Sequence, residues 1–225
     1  MAPIPIVVLI SGEGTNLQAI IDAAANDGLP VEIRAVISNR PGANGLNRAR
    51  RAGIPCQVVD HKAYPDRARF ESALMNAIDA HHPALVVLAG FMRILGAEFV
   101  DRYRGRLLNI HPSLLPEFPG LETHRQALEA GAAEHGASVH FVTDEVDGGP
   151  VVIQARVPVQ RTDDAQSLAE RVREQEHRIF VLAIRWFAEG RLQLHGDTVL
   201  LDGQSLTEPV EIDHAKQVAS THAVH

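Results

Sequence analysis

The chain has 225 residues, a formal net charge of −7 at pH 7 and a hydrophobic fraction of 45%. This length allows one α/β domain with a sizeable core, and the hydrophobic fraction excludes a disordered chain. The negative charge argues against a broad nucleic-acid surface, because such surfaces need clustered cations to displace counterions. Cys56 is the only cysteine, which excludes an intrachain disulfide and a cysteine-based zinc site. We therefore expect a protein of the reducing cytoplasm.

Short apolar runs alternate with amphipathic stretches in the first half of the chain. The run IVVLI at 6–10 is continuously apolar, as is typical of a strand covered on both faces. It is too short to span a bilayer and lacks the basic flank of a secretory leader, so we expect no membrane association. Helical patterns separate it from the later runs. We predict further strands at 31–38, 56–59, 84–90 and 106–110, and helices at 44–52 and 94–103.

The second half changes character after a proline-rich loop. A helix is predicted at 123–131, two strands at 137–143 and 151–159, and a long helix at 164–189, followed by a closing hairpin in RLQL and TVLL. The order of elements predicts an α/β fold with a doubly wound, mostly parallel sheet, helices on both faces, and mixed strands at one edge. We expect a single domain at 1–203 and a polar, flexible tail at 204–225.

The segment SGEGTN follows the first predicted strand and precedes a helix. Gly12 and Gly14 allow close approach of a ligand to the backbone, and the N–H groups of a helix start favour phosphate. The third glycine of a dinucleotide-binding motif and the lysine of a P-loop are both missing. A tight turn capped by Thr15 or Asn16 is therefore an equal alternative on the pattern alone.

Asn109 and His111 stand at i and i+2 at the end of a predicted strand, so their side chains point the same way. An amide donor beside an imidazole suits a reaction in which an oxyanion develops. The alternative is a pair that makes only local hydrogen bonds. Asp147, in DEVDGGP, is ordinary turn chemistry by itself, but near His111 it would stabilise the charged imidazole. The apolar segment FMRIL at 91–95 is either the start of a core helix or the wall of a flat ligand, and we predict that two of its four apolar side chains pack in the core.

Long blocks of the sequence resemble one known family. They are VVLISGEGTNLQAII, VVLAGFMRIL, RLLNIHPSLLPEFPGLETHRQALEAG, HGASVHFVTDEVDGGPVV and RVREQEH, and they match, in order, the folate-dependent phosphoribosylglycinamide formyltransferases from about residue 4 to 203. The resemblance implies a Rossmann-like formyltransferase that moves a formyl group from 10-formyltetrahydrofolate, as co-substrate, to the amine of glycinamide ribonucleotide in purine biosynthesis.

The resemblance also implies residue roles. The catalytic positions fall on Asn109, His111 and Asp147. The ribonucleotide positions fall on Gly14, Thr15, Asn16, Arg173, Glu174, Gln175 and Glu176. The folate positions fall on Arg67, Met92, Arg93, Ile94, Leu95, Asn109, Thr143, Asp144, Glu145, Val146 and Asp147. Arg67 lies in a divergent segment. Glu13 stands where the family implies a neutral residue more often, and we leave it out of the site because a carboxylate beside phosphate is unfavourable unless it points to solvent.

Two related activities compete with this interpretation. A methionyl-tRNA formyltransferase would need a basic RNA-binding extension, and a formyltetrahydrofolate hydrolase would carry an added regulatory domain at its N-terminus. A non-catalytic nucleotide-binding module would explain SGEGTN but not the Asn109, His111 and Asp147 set. We expect two small-molecule substrates, no metal, no nucleic acid, no membrane, and a monomer or homodimer.

Overall fold

The computed structural model describes residues 2–213, in which strands and helices alternate along most of the chain. The strands are β1 (Ile4–Ile10), β2 (Val31–Ser38), β3 (Cys56–Val58), β4 (Leu85–Leu88), β5 (Leu107–His111), β6 (Glu134–Phe141), β7 (Val151–Pro158), β8 (Leu192–His195), β9 (Thr198–Leu201), β10 (Gln204–Ser205) and β11 (Val210–Asp213). The helices are α1 (Thr15–Asn26), α2 (Gly45–Arg51), α3 (Arg67–Asp79), α4 (Ala97–Arg102), α5 (Thr123–Glu129) and α6 (Ala165–Ala188), with a short 3-10 helix at His61–Ala63.

Eight strands form the main sheet, in the order β11-β7-β6-β5-β4-β1-β2-β3. Strands β1 to β5 are parallel, whereas β6 runs antiparallel to both of its neighbours. Strands β8, β9 and β10 form a separate antiparallel sheet, which contains the predicted hairpin. The doubly wound, mostly parallel sheet with mixed strands at one edge is therefore confirmed.

Helices cover both faces of the main sheet. Along β1, Ile6, Val8 and Ile10 pack in a cluster with α1, α2 and α6, while Val7 and Leu9 pack on the other face with α3 and α4. The alternation of side chains along a strand explains why IVVLI is apolar at every position. Full burial of each such side chain stabilises the fold by about 1.5–3 kcal/mol. The two layers hold the carboxyl ends of the parallel strands in fixed positions, which is where ligands bind in open α/β sheets.

The long predicted helix is confirmed as α6. Asp164 caps it, because its side chain accepts a hydrogen bond from the backbone N–H of Ser167 and the Ser167 hydroxyl accepts one from the Asp164 N–H. The predicted helix at 94–103 is shorter, since α4 begins only at Ala97. Among residues 2–213, no helix is both long and apolar enough to cross a membrane.

Residues 204–213 differ from the flexible tail that the sequence predicts. Gln204–Ser205 pairs with β9, and Val210–Asp213 lies parallel to β7 at the edge of the main sheet. Val210 and Ile212 pack against the core cluster, and a salt bridge of 2.7 Å joins Arg156 to Glu211. The expected boundary at 203 therefore lies too early, because a strand of four residues gives too short a pattern to be recognised. Residues 214–225 of that predicted tail lie outside the described residues.

Candidate active site

The structure brings Asn109 and His111 together with a second strand. Both residues lie on β5, where Asn109 pairs with His140 of β6 and His111 pairs with Ser138. His111 is buried, and Asn109 is half-buried. Side chains directly opposite each other in an antiparallel pair are close neighbours, so the antiparallel direction of β6 brings His140 beside Asn109.

Both ring nitrogens of His111 face oxygen atoms. Its Nδ1 lies 3.4 Å from Oδ1 of Asp147, and its Nε2 lies 3.1 Å from the carbonyl oxygen of Phe118. A neutral imidazole can donate only one hydrogen bond, whereas an imidazolium donates two. Asp147 and Phe118 therefore each offer a hydrogen-bond acceptor to the His111 ring.

Asp147 reaches this position by an unexpected route. Because β6 is antiparallel to β5, the chain after Phe141 leaves the sheet near the start of β5, where the N–H of Val142 donates to the carbonyl of Leu107. The loop then folds back, so that Asp147 approaches His111. Asp147 has a φ of 53°, in the left-handed region that Asp adopts more readily than most residues.

The amide of Asn109 is oriented by His140. Nδ1 of His140 donates to the carbonyl of Phe141 at 3.0 Å, so Nε2 is the acceptor for the Asn109 amide N–H, also at 3.0 Å. Burial lowers the pKa of His140, which keeps it neutral near pH 7 despite the opposing effects of the Phe141 carbonyl and Asp147. One Asn109 N–H is thus held by the protein, and the second is available to a ligand.

The proline-rich loop is fixed by hydrogen bonds at both of its ends. The Ser113 hydroxyl donates to the Glu117 carbonyl at 2.6 Å, and the N–H of Leu115 donates to the Ser138 hydroxyl at 3.0 Å. At the far end, the N–H of Gly120 donates to Oδ2 of Asp147 at 2.9 Å. The same carboxylate that faces His111 therefore holds the loop beside it.

The SGEGTN segment forms a tight turn against α2. Gly14 has a φ of 71°, and a Cβ at that position would lie 2.6 Å from Cα of Gly45, so only glycine fits there. Nδ2 of Asn16 donates to Oε2 of Glu176 at 2.8 Å, and Oδ1 of Asn16 is buried without a hydrogen-bond partner. A buried acceptor without a partner is typical of a ligand site.

The four predicted positions on α6 point in different directions. Arg173 and Glu174 are exposed and Gln175 is buried. Consecutive residues of a helix point about 100° apart, so the four side chains cannot all face one ligand. Glu176 is half-buried. Burial raises the pKa of the Glu176 carboxyl, and the hydrogen bond from Asn16 and the Arg173 charge oppose that shift. Of the four, Glu176 is the one that contacts the SGEGTN segment.

The predicted folate positions at 92–95 lie on a loop rather than on a helix. Phe91 and Leu95 are buried at 8% exposure, while Met92 and Ile94 are 56% and 62% exposed. The expectation that two of the four apolar side chains pack in the core is therefore confirmed. The two exposed side chains, together with exposed Arg93, are available to a ligand.

Both ends of this loop are held by neighbouring elements. The N–H of Met92 donates to the Ser11 hydroxyl at 2.7 Å, and the N–H of Gly96 donates to Oε1 of the buried Glu71 at 2.9 Å. The same Glu71 oxygen accepts from Nε of Arg67, also at 2.9 Å. Arg67, which lies in the segment that diverges from the family, is thus linked directly to the loop.

The remaining folate positions occupy the loop after β6. Thr143 is half-buried, whereas Asp144, Glu145 and Val146 are exposed. Asp101 raises the pKa of Arg104, which precedes β5, and the charge of Asp144 adds a smaller effect in the same direction. The loop therefore extends from the start of β5 to His111, and Asp147 is the predicted position on it that faces the His111 ring.

Comparison with known proteins identifies the family. Residues 4–184 match the family model described as formyl transferase. The chain belongs to the formyl transferase family. It is 57% identical over 201 residues to the phosphoribosylglycinamide formyltransferase of Escherichia coli strain K12, a match that covers 89% of this chain and 95% of that protein. The protein of the same name from Haemophilus influenzae is 48% identical over the same shares of the two chains.

A solved relative has the same fold as this formyl transferase. The phosphoribosylglycinamide formyltransferase of Coxiella burnetii, solved in complex with CHES, superposes with a TM-score of 0.90 at 53% identity. The match covers 93% of this chain and 99% of that one. The Rossmann-like formyltransferase fold expected from the sequence is thus confirmed.

Sequence reasoning missed several residues that support the site of this formyl transferase. His140 orients Asn109, Ser138 holds the proline-rich loop, and Glu71 joins Arg67 to the 92–96 loop. The alternation along β6 would have placed His140 and Ser138 on the same face, and the pairing with β5 supplies the rest. Over the part of the chain that the structure describes, no group of three or more His, Cys, Asp or Glu side chains is arranged to hold a metal ion.

Proposed function

We infer that this formyl transferase moves the formyl group of 10-formyltetrahydrofolate to the amine of glycinamide ribonucleotide, giving formylglycinamide ribonucleotide and tetrahydrofolate. The family and the identity of 57% to the E. coli enzyme support this activity. The observation that carries it is the convergence of an amide, an imidazole and a carboxylate at the end of β5. Acyl transfer to an amine needs this set, because negative charge develops on the acyl oxygen and protons must move.

Asn109 acts as a fixed hydrogen-bond donor. Because His140 accepts one of its amide hydrogens, the other keeps a constant direction and can donate to the formyl oxygen as charge develops there. A donor positioned in advance needs no reorganisation during the reaction. Typical losses on removal of such a donor are about a hundredfold to a thousandfold in kcat.

His111 supplies positive charge and transfers protons. Asp147, at 3.4 Å, stabilises its imidazolium form, while the carbonyl of Phe118 holds Nε2. The amine loses a proton when it becomes an amide, and the departing folate nitrogen gains one. The imidazolium of His111 gives its proton, with water as relay, to the departing nitrogen, and the resulting neutral imidazole takes up the proton that the amine releases. Holding the amine and the formyl carbon together contributes much of the remaining rate.

The ribonucleotide is placed between α1 and α6 in this proposal. Gly14, Thr15 and Asn16 present backbone N–H groups at the start of α1 to the phosphate. Glu176 accepts hydrogen bonds from the ribose hydroxyls, and Oδ1 of Asn16, which lacks a partner within the protein, accepts another. Arg173 adds positive charge beside them, and Glu174 and Gln175 are the remaining residues of the proposed ribonucleotide-binding segment of α6.

The folate is placed against the 92–95 loop. Met92 and Ile94 expose the apolar surface that a flat ring requires, and Arg67 and Arg93 supply positive charge for a carboxylate tail. Thr143, Asp144, Glu145 and Val146 cover the ring from the loop that ends at Asp147. The formyl group then lies beside Asn109.

The proposed substrates are small molecules only, and the proposed state of the protein is a cytoplasmic monomer or homodimer. The single thiol of Cys56 is not in a disulfide, and burial raises its pKa, so that it stays protonated and unreactive. This state suits a reducing compartment.

An acceptor assay tests the proposed function. Initial rates are followed by the absorbance change of 10-formyltetrahydrofolate with glycinamide ribonucleotide, with aminoacylated initiator tRNA, or with neither. We expect turnover only with the ribonucleotide. Turnover without any acceptor would identify a hydrolase, and turnover with the tRNA alone would identify a tRNA formyltransferase; either result contradicts the proposal.

A further inference from the structure

Glu13 is an acidic residue in the middle of the proposed phosphate loop. It lies between Gly12 and Gly14, and its side chain is exposed. A carboxylate a few ångströms from a phosphate weakens binding through charge repulsion. The loop can therefore bind phosphate only if this carboxylate is held away from it or its charge is offset.

Two side chains at and just after the start of α2 hold Glu13 in place. Nδ2 of Asn44 donates to Oε1 of Glu13 at 2.9 Å, and Nε of Arg48 donates to the backbone carbonyl of Glu13 at 2.8 Å. Nη1 of Arg48 also lies 3.4 Å from Oε1 of Gln18 on α1. Asn44 and Arg48 thus contact both the side chain and the backbone of Glu13, and we call the two residues the α2 clamp.

Asn44 does not perform the role that its position suggests. It is the N-cap residue of α2, yet its side chain makes no capping hydrogen bond and is directed to Glu13 instead. The backbone completes the contact, because the N–H of Gly45 donates to the carbonyl of Gly12 at 3.0 Å. The hydrogen bonds of Asn44 and Gly45 at the start of α2 are therefore made with the loop, and the Asn44 side chain does not cap the helix.

Arg48 also acts electrostatically on α6. Burial lowers the pKa of His177, and the charges of Arg173 and Arg48 lower it further. Nε2 of His177 is buried without a hydrogen-bond partner.

We propose that Asn44 and Arg48 are positioning residues for the ribonucleotide phosphate: Asn44 holds the Glu13 carboxylate against α2, and Arg48 fixes the Glu13 peptide. The loop N–H groups then face the phosphate, and the Arg48 charge offsets that of Glu13. This inference rests on the proposed function. It explains how the loop tolerates an acid that sequence reasoning excluded from the site.

A double-mutant cycle with two acceptors tests the clamp. Arg48→Met, Glu13→Gln and the double variant are compared with wild type by steady-state kinetics with glycinamide ribonucleotide and with glycinamide riboside, which lacks the phosphate. Arg51→Met, at the exposed last residue of the same helix, removes an equal charge as the matched control. Direct titration of the ribonucleotide onto each folded variant measures binding without turnover.

We expect Arg48→Met to raise the KM and Kd for the ribonucleotide about tenfold, with the folate KM and riboside turnover within about twofold of wild type. In the Glu13→Gln background, the same change should raise them only about threefold, because no carboxylate charge is left for Arg48 to offset and only its contact with the Glu13 backbone is lost. Equal losses with the riboside would reduce Arg48 to a structural residue, and equal factors in both backgrounds would show that it does not act through Glu13. Either outcome overturns the proposal. Absence of ribonucleotide turnover by wild type would instead refute the proposed function.

Discussion

Replacement of Asp147 by Asn removes a charge from the site with little change of shape. Its φ of 53° lies in the left-handed region, which Asn tolerates as readily as Asp. The Asn amide oxygen can still accept the hydrogen bond from the N–H of Gly120. The loop therefore stays in place, while the imidazolium of His111 loses its counter-charge.

The expected magnitude follows from one distance. At the 3.4 Å between Nδ1 of His111 and Oδ1 of Asp147, two unit charges attract by about 5 kcal/mol at an effective dielectric constant of about 20. Part of this attraction is already present before the reaction, so only a fraction lowers the barrier. About half of it corresponds to roughly a hundredfold in rate, since 1.36 kcal/mol is tenfold. We therefore expect kcat to fall by about a hundredfold or more, with little change in the ribonucleotide KM.

Steady-state assays with both substrates at saturation measure this loss. Asp101→Asn is the control, because Asp101 is an exposed carboxylate that pairs with Arg104 and its replacement makes the same chemical change away from the site. A kcat of Asp147→Asn within threefold of wild type, with the fold intact by circular dichroism, would refute the reasoning. It would reduce Asp147 to a loop residue and leave Asn109 and His111 as the catalytic groups.

The other predictions concern orientation, the phosphate loop, the chain end and acid stability. His140→Phe should lower kcat about tenfold with little change in either KM, because the Asn109 amide loses its acceptor; an unchanged kcat would show that Asn109 needs no such support. Gly14→Ala should lower the free energy of unfolding by about 2–4 kcal/mol in urea titrations, from backbone strain and the clash with α2, whereas Gly12→Ala, with nothing within 4 Å of the added Cβ, should not; equal stabilities would contradict the packing. Truncation after Gly203 should lower Tm by several degrees relative to truncation after residue 213, because β7 loses β11; equal Tm values would mean that β11 adds nothing to stability. Burial lowers the pKa of His135 to about 4, so between pH 6.5 and pH 4 the unfolded chain binds more protons than the folded chain. The free energy of unfolding should therefore fall by up to about 3 kcal/mol as the pH is lowered through that window. This fall should be smaller in His135→Gln, and equal slopes in the two proteins would contradict the prediction.

The placement of Asn109 and His111 on one side of β5 was predictable because it depends only on local periodicity. Asn109 and His111 stand two residues apart on a strand, and that spacing alone places their side chains on one side. The parallel sheet followed from the order of apolar runs. In both cases the information lies within a few neighbouring residues.

The path of the Asp147 loop and the role of His140 were not predictable in the same way. Both depend on the antiparallel direction of β6 beside β5, which is a long-range pairing that no local pattern specifies. An Asp-Gly turn in the sequence does not indicate that the chain returns along β5 to bring its carboxylate to His111. Sequence reasoning assigned Asp147 a catalytic position only through the family resemblance.

The chain end was misjudged for a different reason. Val210 and Ile212 alternate with acidic residues over four positions, which is below the length at which alternation stands out from a polar tail. What makes this segment a strand is the free edge of β7, together with the Arg156 salt bridge to Glu211. The exclusion of Glu13 from the site was also a local argument, and the contacts from α2 supply what it lacked.

The central claim is that the site at the end of β5 delivers a formyl group from folate to an amine. The most direct test uses 10-formyltetrahydrofolate labelled with ¹³C in the formyl carbon, glycinamide ribonucleotide, and either wild type or the Asn109→Ala/His111→Ala double variant. Nuclear magnetic resonance of the labelled carbon distinguishes the folate, the product amide and free formate. We predict that wild type moves the label to the ribonucleotide amide and that the folded double variant does so at least a thousandfold more slowly, from the combined loss of donor and proton transfer. Label released as formate by wild type, or transfer by the double variant at the wild-type rate, would contradict the claim.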